Sequence, residues 1–473
     1  MAGRKQKCRG CEEAAVKIAE LERRLIELEE KLAKSEKNSS NSSKPPSSDI
    51  VNPNESETKT TKKSRKKRKK GGQPGHSRHE RIPFTDDQID TFWELRFHDC
   101  PCCGGKLEDD PTLESKKLQH VEFVGIPIQV EEYQRVGQRC TECDQVHYVA
   151  WPEDLAKAGL VGPRLTAFIG FLKGACHMSF TSIRKFLRDV VKVTISRGQL
   201  RKLIAKVSDS LADPYDELLR LLPQQEQINV DETGHKDNGE RMWTWCFRAA
   251  MFTLFKISPS RGSQVLLEVL GAEFDGTIGC DYFSAYRKYM RLNDNVTVQF
   301  CLAHLIRDVK FLVDHPNSKN RAYGRRVLAA LKSLFGVIHR RENMTEAGFA
   351  RRLRSVAEEL QHQATYRVPQ AKESKNLAER FRKHGEQYLQ FITTPEIDPT
   401  NNLAEQAIRF VVIDRKITQG SRSESGQKWL ERIWTVTATC AQTGHAVFDF
   451  LTDAVIANFQ GQPAPSLAYD NTS

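Results

Sequence analysis

The stretch EQINVDETG, residues 226–234, sets apolar residues into a short run and closes it with an acid, so it reads as a buried strand ending in Asp231. RMWTWCFRA (241–249) and MFTLFKISPSRG (251–262) read as the next two strands of a meander. SQVLLEVLGAEF (263–274) has helical spacing, and GTIGCDYFSAY (276–286) reads as a fourth strand ending in Asp281. VTVQFCLAH (296–304) gives a fifth strand, ending near His304.

Three strands, a helix, a strand and another strand is the order of a ribonuclease-H-like core. In such a core the first and fourth strands pair, and the acids at their ends become neighbours. Two carboxylates brought together repel unless they share divalent cations, and Mg²⁺ or Mn²⁺ suits hard oxygen ligands that leave room for water and phosphate. Two such ions about 4 Å apart activate an attacking oxygen and stabilise a leaving one. A third acid is needed. DPTNNLAEQAIRFVVIDRK (398–416) offers Glu405 in the first turns of a helix begun by Pro399, Thr400 and Asn401, with Glu396, Asp398 and Glu424 as competitors.

Around this core the chain is long and unevenly charged. Its 473 residues, 28% charged and 39% hydrophobic, predict two to four domains at roughly 100–200 residues each. Purely apolar runs are only a few residues long and no apolar segment follows MAGRKQKCRG, so neither a membrane span nor a secretory signal is expected. That places the protein in the cytosol, where its twelve cysteines read as metal ligands or buried thiols rather than disulfides. The net charge of +11 is concentrated in three blocks. Residues 59–70 hold nine cations and no acid, residues 161–210 sum to +8, and residues 301–390 sum to +9.

Each block belongs to a recognisable segment. Ala14, Ile18, Leu21, Leu25, Leu28 and Leu32 form an a/d seam over about three heptads, so residues 12–36 read as a dimerising coiled coil. Cys8 and Cys11 precede it as a CxxC whose role stays open. Residues 37–80 read as a disordered basic linker: Ser, Asn and Pro first, then a cationic run including Lys66, Lys67, Arg68, Lys69 and Lys70, suited to a polyphosphate surface. In residues 81–155, Cys100 and Cys103 form one CxxC and Cys140 and Cys143 another, with a hairpin-like alternation between. That is a thiolate Zn²⁺ ribbon, with Cys102 a spare thiol that could replace a neighbour. Residues 160–220 read as helices, N-capped at Ser179 and Ser196, the last two joined by the short turn KVTI. This is helix-turn-helix-like, and Arg197, Gln199, Arg201, Lys202 and Lys206 on the third helix could reach base edges and phosphates.

VDETG (230–234), GTIGCDYFSAY (276–286), CLAHLIRD (301–308), TNNLAEQAIR (400–409) and RKITQGS (415–421) together resemble the DDE transposases of the insertion-sequence 66 family. The leucine seam, SSKPPSSD (42–49), GGQPGH (71–76) and the CPxCGG-type ribbon fit the same family in the same order. The resemblance implies that Asp231, Asp281 and Glu405 form a DDE triad holding Mg²⁺ or Mn²⁺. It matches Cys301 and His304 to the C-x2-H signature after the second acid, with their role open. Leu302, where the family often has Trp, and Cys102 are departures. The 124 residues from Asp281 to Glu405 imply an inserted domain, and residues 305–395 are helical in pattern and rich in Arg.

The fold expected is thus a multidomain α+β chain. It comprises coiled coil, zinc ribbon, helical DNA-binding segment, a core first part (221–304), an α-helical insertion (305–395) and a core second part with C-terminal helices (396–460). The core pieces are not basic, residues 221–300 summing to −2 and residues 391–473 to −3, so the insertion would supply the phosphate-binding wall. Arg409, Arg415 and Lys416 could touch DNA near Glu405. The function implied is metal-dependent cleavage at the ends of an insertion element and attack of the freed 3′-OH on target DNA. The partners are then the terminal inverted repeats, target DNA, a second copy of the chain and accessory proteins of the element. A DNA-binding regulator without catalysis and a structure-specific nuclease are the rivals.

Overall fold

The computed structural model describes residues 9–35, 161–394 and 396–468, with short pieces between residues 85 and 150. Contacts divide the chain into two units, residues 1–55 with 133–473, and residues 56–132. Of the second unit, a 3-10 turn at Asp86–Gln88, Cys102 and Cys103 (both exposed) and residues 128–132 are described. The basic run at 59–70, Cys100, Cys140 and Cys143 lie outside the described residues. Where a hairpin is expected before Cys140, residues 128–132 carry no strand. The rest of that stretch up to residue 137, apart from residue 136, lies outside the described residues; antiparallel pairing is found between β1 (Gln138–Arg139) and β2 (Val146–His147), on either side of the second CxxC in sequence.

The N-terminal seam forms helix α1 (Arg9–Ser35). Leu21, Leu25, Leu28 and Leu32 are 58–60% exposed along it. Among the described residues the next α-helices are α2 (Pro163–Gly174), α3 (Phe180–Phe186), α4 (Arg197–Ser210) and α5 (Ala212–Leu221). Ser179 and Ser196 each accept a backbone N–H three residues on, which satisfies donors that a helix start leaves unpaired. Leu200, Leu203, Ile204 and Val207 are buried along α4, while Arg197, Arg201 and Lys202 are exposed and Gln199 half-buried.

The centre is a five-stranded mixed sheet in the order β5–β4–β3–β6–β7. Its strands are β3 (Gln227–Asp237), β4 (Glu240–Arg248), β5 (Thr253–Ser258), β6 (Thr277–Cys280) and β7 (Thr297–Phe300). The first three form an antiparallel meander, and β6 and β7 add in parallel, the connections running through α6 (Gln264–Leu270) and α7 (Ser284–Leu292). Two sequence expectations need correction. Asp231 does not end its strand: β3 runs six residues further because Asn238 and Gly239, both at positive φ, make the tight turn that zips it to β4. His304 is not at the end of a strand either. β7 stops at Phe300, and His304 sits in the first turn of α8 (Leu302–Val313).

Between α8 and the last part of the core lie α9 (Ser318–Ile338), α10 (Glu346–Thr365) and α11 (Lys372–Tyr388). The chain then returns through α12 (Asn402–Thr418), α13 (Glu424–Thr443) and α14 (Val447–Gln460). Helix α13 covers the edge strand β5. Thr439, Thr435 and the Glu431 carboxylate accept the N–H groups of Thr253, Phe255 and Ile257, so the edge is closed by side chains.

After α12 the chain turns back along the far end of β3. Ser421 N–H donates to Lys236 O at 3.0 Å and Asn238 N–H to Ser421 O at 2.9 Å. Gly420 makes this possible: its φ is +91°, and a Cβ there would lie 2.1 Å from Lys236 O. Gly420→Ala is therefore expected to destabilise the fold by about 3 kcal/mol or more, read as a lowered melting temperature. His235 is buried beneath this segment, its Nε2 3.0 Å from Ser421 Oγ, and burial, with Arg415 nearby, pulls its pKa down from 6.5 to about 4. The unfolded chain takes up that proton near pH 6.5 and the folded one only near 4, so stability falls as pH falls through this window. The loss is roughly 2–3 kcal/mol by pH 4.5. Urea midpoints at pH 7 and 4.5 should drop further for the wild type than for His235→Gln.

Candidate active site

The parallel register of β3 on β6 ends at Asn229 opposite Gly279. Asp231 stands two residues beyond that point and Asp281 directly after β6, so both acids lie at the carboxyl edge of the parallel pair. Glu405 lies in the first turn of α12, and the start of that helix is pinned to β3 and to the residues that follow β7. Asn401 Nδ2 donates to Val230 O at 2.8 Å, and Asn229 Nδ2 donates to Asn401 Oδ1 at 3.0 Å. Asn401 N–H donates to Cys301 Sγ at 3.1 Å, and Leu302 N–H to Pro399 O at 2.9 Å. Gly279 is required here, since a Cβ would fall 2.5 Å from Asn229 Nδ2. The competing acids are used elsewhere. Asp398 accepts the Thr400 N–H and hydroxyl, Glu424 pairs with Lys428 on the surface, and Glu396 is exposed at positive φ.

Burial, then the charges of Glu232, Asp281 and Glu405, hold the Asp231 carboxyl well above the usual range. Burial also raises Asp281, against the pull of His304 and of the Phe283 N–H that its Oδ1 accepts at 2.8 Å. Asp231 Oδ1 accepts only the neighbouring Glu232 N–H, at 2.9 Å. Glu232, Asp281 and Glu405 thus crowd Asp231 with negative charge, which a divalent cation would offset. Glu405 is turned to protein partners: Arg307 Nη2 at 2.7 Å and His304 Nδ1 at 3.4 Å. Ligand atoms of Cys301, His304 and Glu405 lie within 4.8 Å of one another. Burial raises the Cys301 thiol to about 11 and lowers His304, with Arg307 lowering it further.

Four residues that the motif reading passes over shape the site: Glu232, Arg261, Arg307 and Asn229. Glu232 is buried, accepts the Tyr286 hydroxyl at 2.5 Å and pairs with Arg261 at 2.6 Å. Its carboxyl is pushed up to about 7 by burial and Asp281. The available signal was the second acid of VDET, read only as part of a motif.

The model of the transposase IS66 family matches residues 158–428, more than half of the chain and a span holding all three acids. The chain belongs to the IS66 transposase family. A family of unknown function (DUF6444) matches residues 4–82 of this IS66-family chain. An uncharacterized protein, y4qI, of Sinorhizobium fredii (strain NBRC 101917 / NGR234) is 24% identical over 344 residues, 67% of this chain and 63% of the relative. The chain thus spans less than two thirds of the length of that relative.

The cationic residues expected to meet DNA are distributed over this IS66-family chain as follows. Arg409 and Lys416 are exposed on α12, whereas Arg415 is half-buried and donates to Thr233 Oγ1 at 3.3 Å. Arg197, Arg201 and Lys202 remain exposed on α4, and Lys206 lies 5.1 Å from the centre of the Phe459 ring. No helix among the described residues is long and apolar enough to cross a membrane.

Proposed function

We propose that this protein is a DDE transposase that binds the ends of an insertion element, cleaves the strand there and joins the freed 3′-OH to target DNA. The observation that carries the proposal is the placement of Asp231 and Asp281 at the carboxyl edge of the paired strands β3 and β6, with the start of α12, which carries Glu405, pinned to β3 by Asn401. The sheet order β5–β4–β3–β6–β7 supports a ribonuclease-H-like core around them. The three acids would hold Mg²⁺ or Mn²⁺, and the ions would activate the attacking oxygen and stabilise the leaving one. The two aspartates are half-buried, within reach of a phosphate, and the Asn401 hydrogen bonds hold the start of the Glu405 helix on β3 beside them.

The exposed cations of α4 and α12, with the basic insertion, support DNA contact along the backbone. The α1 leucines support self-association through a coiled coil. Cys100, Cys103, Cys140 and Cys143 would hold a structural Zn²⁺, and the run at Lys66–Lys70 would add phosphate contacts in the N-terminal region. A labelled element end incubated with purified protein and Mg²⁺ or Mn²⁺ tests the proposal. Cutting followed by joining is expected. Cutting alone would make the protein a nuclease, and binding alone a regulator.

A further inference from the structure

Next to the acids, one arginine is held with more apparatus than an ordinary ion pair needs. Arg261 lies in the loop between β5 and α6. Its Nε and Nη2 both reach Glu232 Oε1, at 2.8 and 2.6 Å, while Tyr286 donates to the other oxygen of Glu232. The guanidinium carbon sits 3.9 Å from the centre of the Phe283 ring and 4.6 Å from that of Trp243. The loop itself is tied down, with Trp245 Nε1 donating to Ser260 O and Gly262 N–H to Ser260 Oγ. Even so, the Arg261 side chain is 33% exposed. Its charge reaches Asp281, whose carboxyl it pulls down. The exposed Arg241 lies 4.8 Å from the centre of the Trp243 ring, so a second cation meets the same aromatic side chain.

A buried carboxylate needs a cation, but not one stacked between two rings at the rim of an acidic site. A guanidinium with one edge paired and its plane fixed offers its remaining N–H groups to a phosphodiester with little ordering cost. We propose that Arg261 binds a backbone phosphate of the DNA strand that reaches Asp281, with Glu232 as the positioning residue that holds it there. The inference rests on the transposase reading for the identity of that strand.

The test uses the full-length protein and compares Arg261→Met, Glu232→Gln and the double variant in three measurements. These are the melting temperature, the slope of log affinity for an element-end duplex against log salt, and single-turnover cleavage at saturating DNA. Arg261→Met strands a buried carboxylate and should melt earlier. It should also flatten the salt slope by about one and slow cleavage about 100-fold. The double variant removes both charges, so its melting temperature should return close to that of the wild type, while slope and cleavage stay at the Arg261→Met values. Recovery of slope and cleavage in the double variant would reduce Arg261 to a structural counter-ion and overturn the proposal. So would an unchanged slope in Arg261→Met. A wild type that binds the duplex and never cuts it would refute the transposase reading alone, since the slope still decides whether Arg261 meets a phosphate.

Discussion

Asp231→Asn is expected to abolish strand cleavage, by at least about a thousandfold, while binding of element ends stays within about twofold of the wild type. The amide keeps the shape and the acceptor for the Glu232 N–H but removes the charge. Losing a carboxylate ligand costs several kcal/mol of transition-state stabilisation, and each 1.36 kcal/mol is tenfold in rate. Binding is spared because the substitution leaves the exposed cations of α4 and α12 in place. A third consequence distinguishes this from simple damage. In metal-free buffer Asp231→Asn should melt later than the wild type, because it removes a half-buried charge that Glu232, Asp281 and Glu405 repel. Single-turnover cleavage, a band-shift titration and a melting curve on one preparation check all three.

Asn401→Ala is the second large effect. The side chain donates to Val230 O and accepts from Asn229 Nδ2, all buried. Truncation leaves a carbonyl and an amide without partners, so the fold should lose about 2–4 kcal/mol, one buried unsatisfied group costing roughly 1–3. It also frees the first turn of α12, and a displacement of Glu405 by about 1 Å is enough to slow the chemistry about 100-fold. Asn401→Asp should do no better, since a carboxylate oxygen would face Val230 O. Denaturant midpoints and cleavage rates measured together should show both losses for both variants, whereas a stable, inactive Asn401→Ala would break the link between the pin and the fold.

The sequence made the core readable because β-strands, turns and helix starts leave local marks. The order of elements from Gln227 to Phe300, the acid after β6 and the acid in the first turn of α12 all follow from periodicity and capping residues. What stayed hidden depends on pairing across long separations. Nothing near Asp231 says that β3 continues, because that is decided by Asn238-Gly239 and by β4. Asn401 reads in sequence only as part of a helix start, yet its amide reaches back 171 residues to Val230 and makes no side-chain cap. Glu232 and Arg261 are 29 residues apart, and only the folded meander makes them a pair. His304 reads as a strand end because Cys301-Leu302-Ala303 carries no break, whereas the backbone already turns into α8 at Leu302.

The claim on which the rest depends is that Asp231, Asp281 and Glu405 share divalent cations when DNA is bound. The measurement that meets it most directly is Mn²⁺ binding followed by electron paramagnetic resonance, with an element-end duplex present, for the wild type and for Asp231→Asn, Asp281→Asn and Glu405→Gln. Each single substitution should weaken Mn²⁺ binding by about tenfold or more while the DNA remains bound. Wild-type Mn²⁺ affinity in all three variants would contradict a shared site and, with it, this account of the chemistry.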